Sequence, residues 1–456
     1  MRLAVVILAA GQGTRLKSDL PKVLHRLAGR PLIDYALDVA RAVTSETPLV
    51  VVGHGAEAVR AAVGDRGRCV LQAKQLGTAH AVQQAEAELR GQCEAVLVMY
   101  GDMPLLRANT LRALAQAQAF NSGPLALATV NAPRLTDFGR IVRDASDEVQ
   151  AVVEAAQATP DERAITEVNV GAYCFNADWL WAALPQLPLS PKGEYYLTDA
   201  VALATAAGGR VAAVRLDDAA EALGVNTRAQ LAEAEARLRE RINTRWMAAG
   251  VTLVDPATTY IEPTVQIEPD TCIWPNTHLQ GNTTVGGACV LGPNTIVRDS
   301  AIGSRCRIEC SVLEGAQVAE EVTIGPFAHL RPGARLERGV HMGNFGEVKD
   351  SVLGPGTKMG HFSYIGNATI GADVNIGAGT ITCNYDGVKK NPTVIEDGAF
   401  IGSDTMLVAP VTVGSGAKTG AGAVVIDDIP EQSLAVGVPA RVIRKLEKKA
   451  ADDPAA

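Results

Sequence analysis

The stretch LAAGQGTRLKSDLPKVL, residues 8–24, combines a glycine turn with two cations. Gly11-x-Gly13 follows an aliphatic run, Arg15 comes next, and Lys22 stands directly after a proline. A glycine turn after a strand exposes backbone N–H groups, and nearby cations add positive charge, so the combination suits the phosphates of a nucleoside triphosphate. The third glycine of a dinucleotide fingerprint is missing, and the spacing is not that of a Walker loop. The Gly-x-Gly pair alone would equally fit an ordinary tight turn.

Other polar positions in the first half have the chemistry of metal and substrate ligands. Asp102 directly follows an aliphatic run, and Asn226 stands in LGVNTR. Mg²⁺ prefers carboxylate and carbonyl oxygens together with phosphates and water, so both are candidate metal ligands. A surface-turn Asp and an Asn beside a helix are the alternative interpretations. Candidate contacts to a base are Gln72, Gly77 and Thr78, and candidate contacts to a sugar are FGRI (138–141), Glu154 and Asn169.

The composition limits the class of protein that can carry these residues. The chain has 456 residues, 47% of them apolar, which excludes disorder for most of its length. The net charge of −8, without a basic block before the C-terminal end, argues against general nucleic-acid binding. The eight cysteines form no CxxC pair, which favours a reducing cytoplasm over a zinc or disulfide framework. The apolar run 3–10 is too short to cross a bilayer, and we interpret it as a buried strand.

The first half alternates aliphatic runs with helical patterns. Runs at 4–10, 49–53 and 95–102 predict buried strands, and helical patterns lie at 31–43, 56–63 and 79–89. This alternation predicts a Rossmann-like α/β domain over residues 1–226 with a mainly parallel sheet. In such sheets ligands bind outside the carboxyl ends of the strands.

A linker helix is predicted at residues 227–249. Thr227 and Gln230 form a candidate capping box, and Gly250 ends the helix. Apolar residues at 231, 234, 238, 242 and 246 form one stripe.

From residue 250 to 456 the period becomes six. Aliphatic-Gly pairs such as Val285-Gly286, Ile365-Gly366 and Ile376-Gly377 mark the step. Hexapeptide spacing predicts a parallel β-helix of roughly ten coils. The period falters at 339–348 and 383–395, where we expect loops that leave the stack and carry function. A basic tail ends the domain.

Taken in order, these segments resemble the family of bacterial bifunctional N-acetylglucosamine 1-phosphate uridylyltransferases and glucosamine 1-phosphate acetyltransferases. The resemblance covers nearly all of residues 1–445 and is most specific at 361–387 and 401–414. It implies left-handed β-helices assembled as a homotrimer in the cytoplasm, without nucleic acid or membrane insertion. It also implies acetyl transfer from acetyl-coenzyme A to the amine of glucosamine 1-phosphate, then Mg²⁺-dependent uridylyl transfer from UTP, with release of pyrophosphate, to give UDP-N-acetylglucosamine.

The resemblance also implies site residues. The catalytic residues are His361, Arg15 and Lys22. UTP and the sugar nucleotide are contacted by Leu8, Ala9, Ala10, Gly11, Lys22, Gln72, Gly77, Thr78, Tyr100, Gly101, Asp102, Gly139, Glu154, Asn169 and Asn226, of which Asp102 and Asn226 hold the metal. Glucosamine 1-phosphate is held by Arg331, Lys349, Tyr364 and Asn375. Acetyl-coenzyme A is contacted by Ala378, Asn384, Tyr385, Ser403 and Ala421, and we add Arg441.

The chemistry of the acetyl site agrees with these assignments. An ammonium group cannot attack a thioester, so the sugar amine must lose a proton, and histidine is the residue type best suited to take it, which makes His361 the candidate base. Arg331 and Lys349 suit a dianionic phosphate, and an N–H group near Ser403 suits the tetrahedral oxyanion. A surface histidine and isolated surface cations are the alternative interpretations.

Three departures from the family pattern affect details of the sites. Ala156-Gln157 replaces the Lys-Asp that commonly follows the sugar-site Glu, and Val170 replaces a Thr. Gly437 stands where an Arg often contacts coenzyme A, so Arg441 or one of its neighbours Arg444 and Lys445 takes that role in our interpretation.

Two alternative functions remain at the level of sequence. The chain would be a single-activity sugar-1-phosphate nucleotidyltransferase if the β-helix only served oligomerisation. It would be a zinc β-helix hydratase if His329, His341 and His361 converged on one metal.

Overall fold

The computed structural model describes residues 2–446. The end of the predicted β-helix domain and of its basic tail, residues 447–456, lies outside the described residues. The chain divides into two compact units, one up to Leu238 and one from Arg239. The predicted division at 1–226, 227–249 and 250–456 stays a prediction.

The first unit contains a nine-stranded mixed sheet. Its strands, together with the short hairpin β2–β3, are β1 (Leu3–Ala9), β2 (Arg26–Leu27), β3 (Arg30–Pro31), β4 (Leu49–Val52), β5 (Arg68–Leu71), β6 (Ala95–Tyr100), β7 (Leu125–Asn131), β8 (Arg140–Arg143), β9 (Val149–Val153), β10 (Glu167–Asn176) and β11 (Val211–Leu216). The main path runs β11-β7-β10-β6-β1-β4-β5, and β8 and β9 form a hairpin beside β10. Strand β10 is antiparallel to β6 and β7, whereas β6, β1, β4 and β5 are parallel, as predicted.

Helices cover both faces of this sheet because its central strands are apolar on both sides. Along β1, Val6 and Leu8 enter one core and Val5 and Ile7 the other. The helices are α1 (Leu32–Arg41), α2 (Ala56–Val63), α3 (Thr78–Gln83), α4 (Glu86–Leu89), α5 (Ala108–Phe120), α6 (Pro160–Ala164), α7 (Ala177–Ala183), α8 (Asp199–Ala206) and α9 (Arg228–Ala248). Helices α1, α2 and α5 pack on one face, and α3, α7 and α8 on the other. The layers place the carboxyl ends of β1 and β6 side by side.

The start of α9 carries the predicted cap in a modified form. The backbone N–H of Gln230 donates to Thr227 Oγ1 at 3.2 Å. The Gln230 side chain reaches back to the backbone N–H of Asn226, at 2.9 Å, rather than to that of Thr227. The cap therefore fixes Asn226 as well as the first turn.

The second unit is a parallel β-helix with three sheets. The first face contains the strands Thr252–Leu253, Cys272–Ile273, Val290–Leu291, Arg307–Ile308, Thr323–Ile324, His341–Met342, Lys358–Met359, Asn375–Ile376, Phe400–Ile401, Lys418–Thr419, Ser433–Val436 and the antiparallel Arg441–Lys445. The second contains Thr259–Ile261, Thr277–Gln280, Ile296–Arg298, Val312–Glu314, His329–Leu330, Gly346–Lys349, Ser363–Gly366, Ile381–Cys383, Met406–Val408 and Val424–Val425. The third contains Gln266–Ile267, Thr284–Val285, Ala301–Ile302, Gln317–Val318, Arg335–Leu336, Val352–Leu353, Ala368–Ile370, Thr393–Ile395 and Val411–Val413.

Most of the short strands send one aliphatic side chain inward, whereas Ile381–Cys383 sends the buried Thr382. Ile273, Leu291 and Ile308 follow one another in register on the first face, and all three are fully buried. This ladder is the physical basis of the six-residue period, because every sixth residue must fill the interior.

One of the two predicted loops is present. The chain leaves the stack after the strand ending at Cys383 and rejoins it at Thr393, which confirms the expected interruption at 383–395. The prediction of a loop at 339–348 is wrong, since His341–Met342 and Gly346–Lys349 are regular strands of successive faces. Met342 fills the interior where the sequence lacks the aliphatic signal, and Phe345 adopts the positive φ of the turn.

No helix within residues 2–446 combines the length and apolar character needed to cross a membrane.

Candidate functional site

A cavity of about 520 Å³ opens at the carboxyl edge of the first unit's sheet. Leu8 of β1 pairs with Tyr100 of β6, so the two chain segments that follow these strands emerge next to each other. One segment is the glycine turn and the other contains Asp102. The fold thus brings together the predicted phosphate loop and the predicted metal ligand.

Lys22, Asp102 and Asn226 meet at one point of this cavity. The Lys22 ammonium forms an ion pair with the Asp102 carboxylate and donates to Asn226 Oδ1 at 2.6 Å. One cation is therefore already shared by the two predicted metal ligands. A carboxylate and an amide oxygen around one positive charge fit a hard cation such as Mg²⁺.

The glycine turn is held against Lys22. Gly13 has φ +66°, and a Cβ at this position would lie 2.7 Å from Lys22 Cβ. Gly11 faces open space, so a ligand can approach its backbone. Arg15 is exposed beside the turn, and its guanidinium makes no hydrogen bond or ion pair with any residue of the 2–446 segment. It is available to an anion in the cavity.

The predicted base contacts lie on a loop fixed by another segment. Gly77 has φ +102°, and a Cβ there would collide with the Tyr195 carbonyl oxygen. Gln72 Nε2 donates to the Gly77 carbonyl oxygen at 3.1 Å, and Thr78 Oγ1 accepts from the backbone N–H of Leu197 at 2.9 Å. Only a glycine fits at position 77, because both φ and the contact exclude a side chain.

The predicted sugar contacts form a hydrogen-bonded wall. Thr198 Oγ1 donates to Glu154 Oε1 at 2.9 Å, and Asn169 Nδ2 donates to the Tyr173 hydroxyl at 2.7 Å. The Gly139 carbonyl accepts from the Asn169 N–H at 2.9 Å. Burial, then the nearby carboxylates of Glu154 and Asp102, raise the pKa of the Tyr100 phenol, so this hydroxyl stays neutral.

The cavity contains nearly all the residues predicted for the nucleotide site. Gly101, Arg140 and Ile141 are the exceptions, since they do not line the cavity. Val170 lines the cavity, whereas Ala156 and Gln157 lie outside it. Sequence reasoning missed the lining residues Gln75, Asp137, Glu194, Tyr196, Thr198 and Gln230. The polar and aromatic run GEYYLTD (193–199) was the signal for three of them.

A cation cluster lies on the second face of the β-helix. Arg331 Nη1 donates to Glu347 Oε1 at 2.8 Å, and Glu347 is the register neighbour of Tyr364. The pKa of the Lys349 ammonium is lowered, mainly by Lys390 and to a smaller extent by Arg331, because nearby positive charges disfavour its protonated form. Lys390 comes from the 384–392 loop and was not predicted. Three cations gathered on one face suit a dianionic phosphate.

The corner between the first and second faces carries the other predicted acetyl-site residues. Backbone hydrogen bonds link Phe362 O to Gly379 N, Ala378 O to Asp404 N and Ser403 O to Gly422 N on successive coils. His361, Ala378, Ser403 and Ala421 therefore form one column along this corner. His361 is the first residue of this column in chain order, and its side chain is exposed.

The remaining predicted residues lie around this corner. Asn384 is buried and donates to Asn367 Oδ1 at 2.7 Å, and Tyr385 is exposed on the loop. Asn375 lies on the first face, across the corner from Tyr364. Arg441 is paired with Asp427 at 3.3 Å, on an exposed strand that also carries Arg444 and Lys445.

The three histidines of the zinc alternative do not converge. His329 contacts Glu314 on the second face, His341 contacts Thr323 on the first, and His361 stands at the corner between them. Within residues 2–446 no three His, Cys, Asp or Glu side chains form a metal-binding group. The hydratase interpretation therefore has no support in the described part of the chain.

An α/β unit with a cavity at the carboxyl edge of its sheet, followed by a hexapeptide β-helix, is the architecture of a transferase with two catalytic domains. A family model described as a MobA-like NTP transferase domain matches residues 5–202, and one described as a bacterial transferase hexapeptide matches residues 392–427. The chain is 48% identical to the bifunctional protein GlmU of Heliobacterium modesticaldum over 94% of each chain. It is also 48% identical to that of Trichlorobacter lovleyi over 95% of each, and 45% identical to that of Streptococcus equi subsp. zooepidemicus over 98% of this chain and 97% of the relative.

The chain belongs to the bifunctional GlmU family. The predicted fold, with a left-handed β-helix after the nucleotidyltransferase domain, is confirmed. The prediction of a bifunctional enzyme, a nucleotidyltransferase joined to an acetyltransferase, is confirmed over the single-activity alternative.

Proposed function

We propose that the cavity of the first unit is the uridylyl-transfer site and that the corner of the β-helix is the acetyl-transfer site of the two-step synthesis of UDP-N-acetylglucosamine. The observation that carries the first assignment is the meeting of Lys22, Asp102 and Asn226 beside an open glycine turn. The column of His361, Ala378, Ser403 and Ala421, together with the three cations on the second face, supports the second.

Uridylyl transfer is above all a problem of charge. An oxygen of the sugar phosphate attacks the α-phosphorus of UTP, and the bond to the leaving pyrophosphate breaks. Arg15 and Lys22 neutralise the phosphates as these anions approach and separate. Asp102 and Asn226 would hold Mg²⁺, which supplies further neutralisation of phosphate charge when bound. The amide and carboxylate wall of Glu154 and Asn169 would orient the sugar.

Acetyl transfer needs a free amine and a stabilised oxyanion. His361 takes a proton from the ammonium of glucosamine 1-phosphate, so that the nitrogen lone pair attacks the thioester carbon. The carbon–sulfur bond then breaks, and the thiolate takes up the second nitrogen proton and leaves as the coenzyme A thiol. The backbone N–H groups around Ser403 would donate to the oxyanion. Arg331, Lys349 and Lys390 would hold the sugar phosphate, with Tyr364 and Asn375 on the sugar. Ala378, Asn384, Tyr385, Ala421 and Arg441 would contact acetyl-coenzyme A.

We place the acetyl site between copies of the chain in a homotrimer. Tyr364 and Lys349 lie on the second face, whereas Asn375 lies on the first. Side chains on two faces of one β-helix point in different directions, so a second copy that packs along the corner supplies the missing wall. We place this assembly in the cytoplasm, in line with the unpaired cysteines.

One assay with two readouts tests the assignment. The protein receives glucosamine 1-phosphate, acetyl-coenzyme A, UTP and Mg²⁺, and free thiol and pyrophosphate are followed separately. Asp102→Ala is expected to remove pyrophosphate release and to leave thiol release at the wild-type rate. Loss of both signals in a variant with an unchanged melting curve would contradict the separation of the sites.

A further inference from the structure

The Lys22 ammonium binds the two oxygens that we assign to the metal. It pairs with the Asp102 carboxylate and lies 2.6 Å from Asn226 Oδ1. Its side chain is only 15% exposed, as is that of Asp102, so the contact is shielded from solvent. A shielded ion pair competes more strongly with an incoming cation than one at the surface.

The backbone segments that carry Asp102 and Asn226 are held in place independently of Lys22. The Asp102 carbonyl accepts from the Val225 N–H at 2.9 Å, which joins the end of β6 to the segment before α9. The Asn226 N–H donates to Gln230 Oε1 at 2.9 Å within the cap of α9. The two segments that carry these side chains are therefore fixed without Lys22, and the Lys22 ammonium lies at the end of a flexible stem that can move.

The stem of Lys22 runs beside the phosphate loop. Its Cβ lies so close to Gly13 that a side chain at position 13 would place its own Cβ only 2.7 Å away. Lys22 lines the same cavity as Gly11 and Arg15. An ammonium released from Asp102 therefore reaches the space above the glycine turn, where a triphosphate binds.

We propose that Lys22 is a placeholder cation whose ammonium occupies the metal position in the nucleotide-free protein and is displaced onto the triphosphate when the metal enters. The inference rests on the proposed Mg²⁺ site. A divalent cation and an ammonium repel each other and do not share the same two oxygens. Free metal therefore binds weakly, and a triphosphate favours its entry by offering the displaced ammonium a new anionic partner.

Binding of Mn²⁺ alone, without nucleotide, tests the placeholder. Free Mn²⁺ is measured by its electron paramagnetic resonance signal during titration of the full-length protein. Lys22→Met keeps the apolar stem and removes the competing charge, so it is expected to lower the Mn²⁺ Kd by about tenfold or more. Lys22→Gln is expected to act in the same direction, and Lys22→Arg, which keeps the charge, to leave the affinity close to wild type.

A second set of variants distinguishes failure of the Lys22 proposal from failure of the proposed metal site. Asp102→Asn in the Lys22→Met background is expected to abolish the gain in Mn²⁺ affinity. If Lys22→Met and Lys22→Gln bind Mn²⁺ no better than wild type, while Asp102→Asn still weakens binding, Lys22 does not compete with the metal. The assignment of Asp102 as a metal ligand is then retained. If Asp102→Asn leaves Mn²⁺ binding of Lys22→Met unchanged, the metal assignment itself is wrong. Melting curves by circular dichroism confirm that each variant is folded.

Discussion

At the scale of single residues, the cations of the two sites differ in what they bind before substrate arrives. Lys22 is paired with Asp102 and Arg331 with Glu347, whereas Arg15 forms no hydrogen bond or ion pair with another side chain between residues 2 and 446. A paired cation must exchange partners to bind a phosphate, but an unpaired one only reorients. We infer that Arg15 makes the first contact with the triphosphate and that the paired cations engage later.

His361 provides the sharpest test of the acetyl site. His361→Ala removes the group that takes the ammonium proton, so thiol release is expected to fall by a factor of about 10² or more. Pyrophosphate release from UTP and N-acetylglucosamine 1-phosphate is expected to stay at the wild-type rate. His341→Ala is the matched control, because His341 is also exposed but lies on the first face. Equal losses in the two variants would rule out a specific role for His361.

Gly77 carries a prediction about backbone geometry. Gly77→Ala combines φ +102° with a Cβ that collides with the Tyr195 carbonyl oxygen, so the loop must shift away from the cavity. We expect a stability loss of about 1–3 kcal/mol and a rise in the KM for UTP. Gly91→Ala is the control, since Gly91 has φ +75° and open space around it, and it should lose stability without a change in KM.

The nucleotide site also shows which residue-level properties the sequence predicts. Lys22 and Asp102 were identified because their types and their places after a turn and a strand have a chemical meaning. The contact of Gly77 with Tyr195 was out of reach, because the two residues are far apart in the chain and no local pattern encodes their approach. Thr198 stands in the polar and aromatic run 193–199, but that run does not show its hydrogen bond to Glu154, which lies far away in the chain.

At the scale of elements, α9 connects helix capping with the uridylyl site. Thr227→Ala removes the acceptor for the Gln230 N–H and is expected to cost about 1 kcal/mol in unfolding of the first unit. The same change frees the Gln230 side chain that holds Asn226, so the metal concentration for half-maximal pyrophosphate release should rise. Thr244→Ala, at an exposed position inside the same helix, should change neither quantity. Equal effects of both substitutions would argue against the cap.

The β-helix depends on its inward ladder. Ile308 is fully buried between Leu291 and Ile324 in register. Ile308→Ala leaves a cavity in the stack and is expected to cost about 2–5 kcal/mol in urea unfolding of the β-helix. Ile426→Ala, at a position 46% exposed, should cost far less. A similar loss in both would mean that the interior does not stabilise the coils.

The same ladder explains why one of the two loops predicted in the β-helix is absent and the other is present. At 339–348 the aliphatic-Gly pair is replaced by Met342-Gly343, and Asn344 and Phe345 form a turn that usually has smaller residues. Met342 fills the interior as Ile does, so the coil stays regular. At 383–395 the chain leaves the stack: Val388, six residues after the buried Thr382, lies 89% exposed on the loop, and Ile395 fills the interior of the third face instead.

At the scale of the whole molecule, one polypeptide joins two sites that differ in what they need to be complete. The residues of the uridylyl site line one cavity within the first unit. The acetyl-site residues are spread over two faces of the β-helix, with Lys349 on one and Asn375 on the other. Acetyl transfer should therefore depend on assembly, and uridylyl transfer should not.

Mixed trimers test this dependence on assembly. Lys349→Ala and Asn375→Ala are each expected to lose acetyl transfer when expressed alone, because every site then lacks one wall. In the proposed homotrimer, co-expression joins an intact Lys349 to an intact Asn375 of the neighbouring copy at about a quarter of the interfaces. Thiol release should therefore return to about that fraction of wild type. Pyrophosphate release should be the same in all four preparations. If the mixed trimers stay inactive in thiol release while wild-type subunits mixed the same way are active, one chain supplies both residues and the site does not lie between copies.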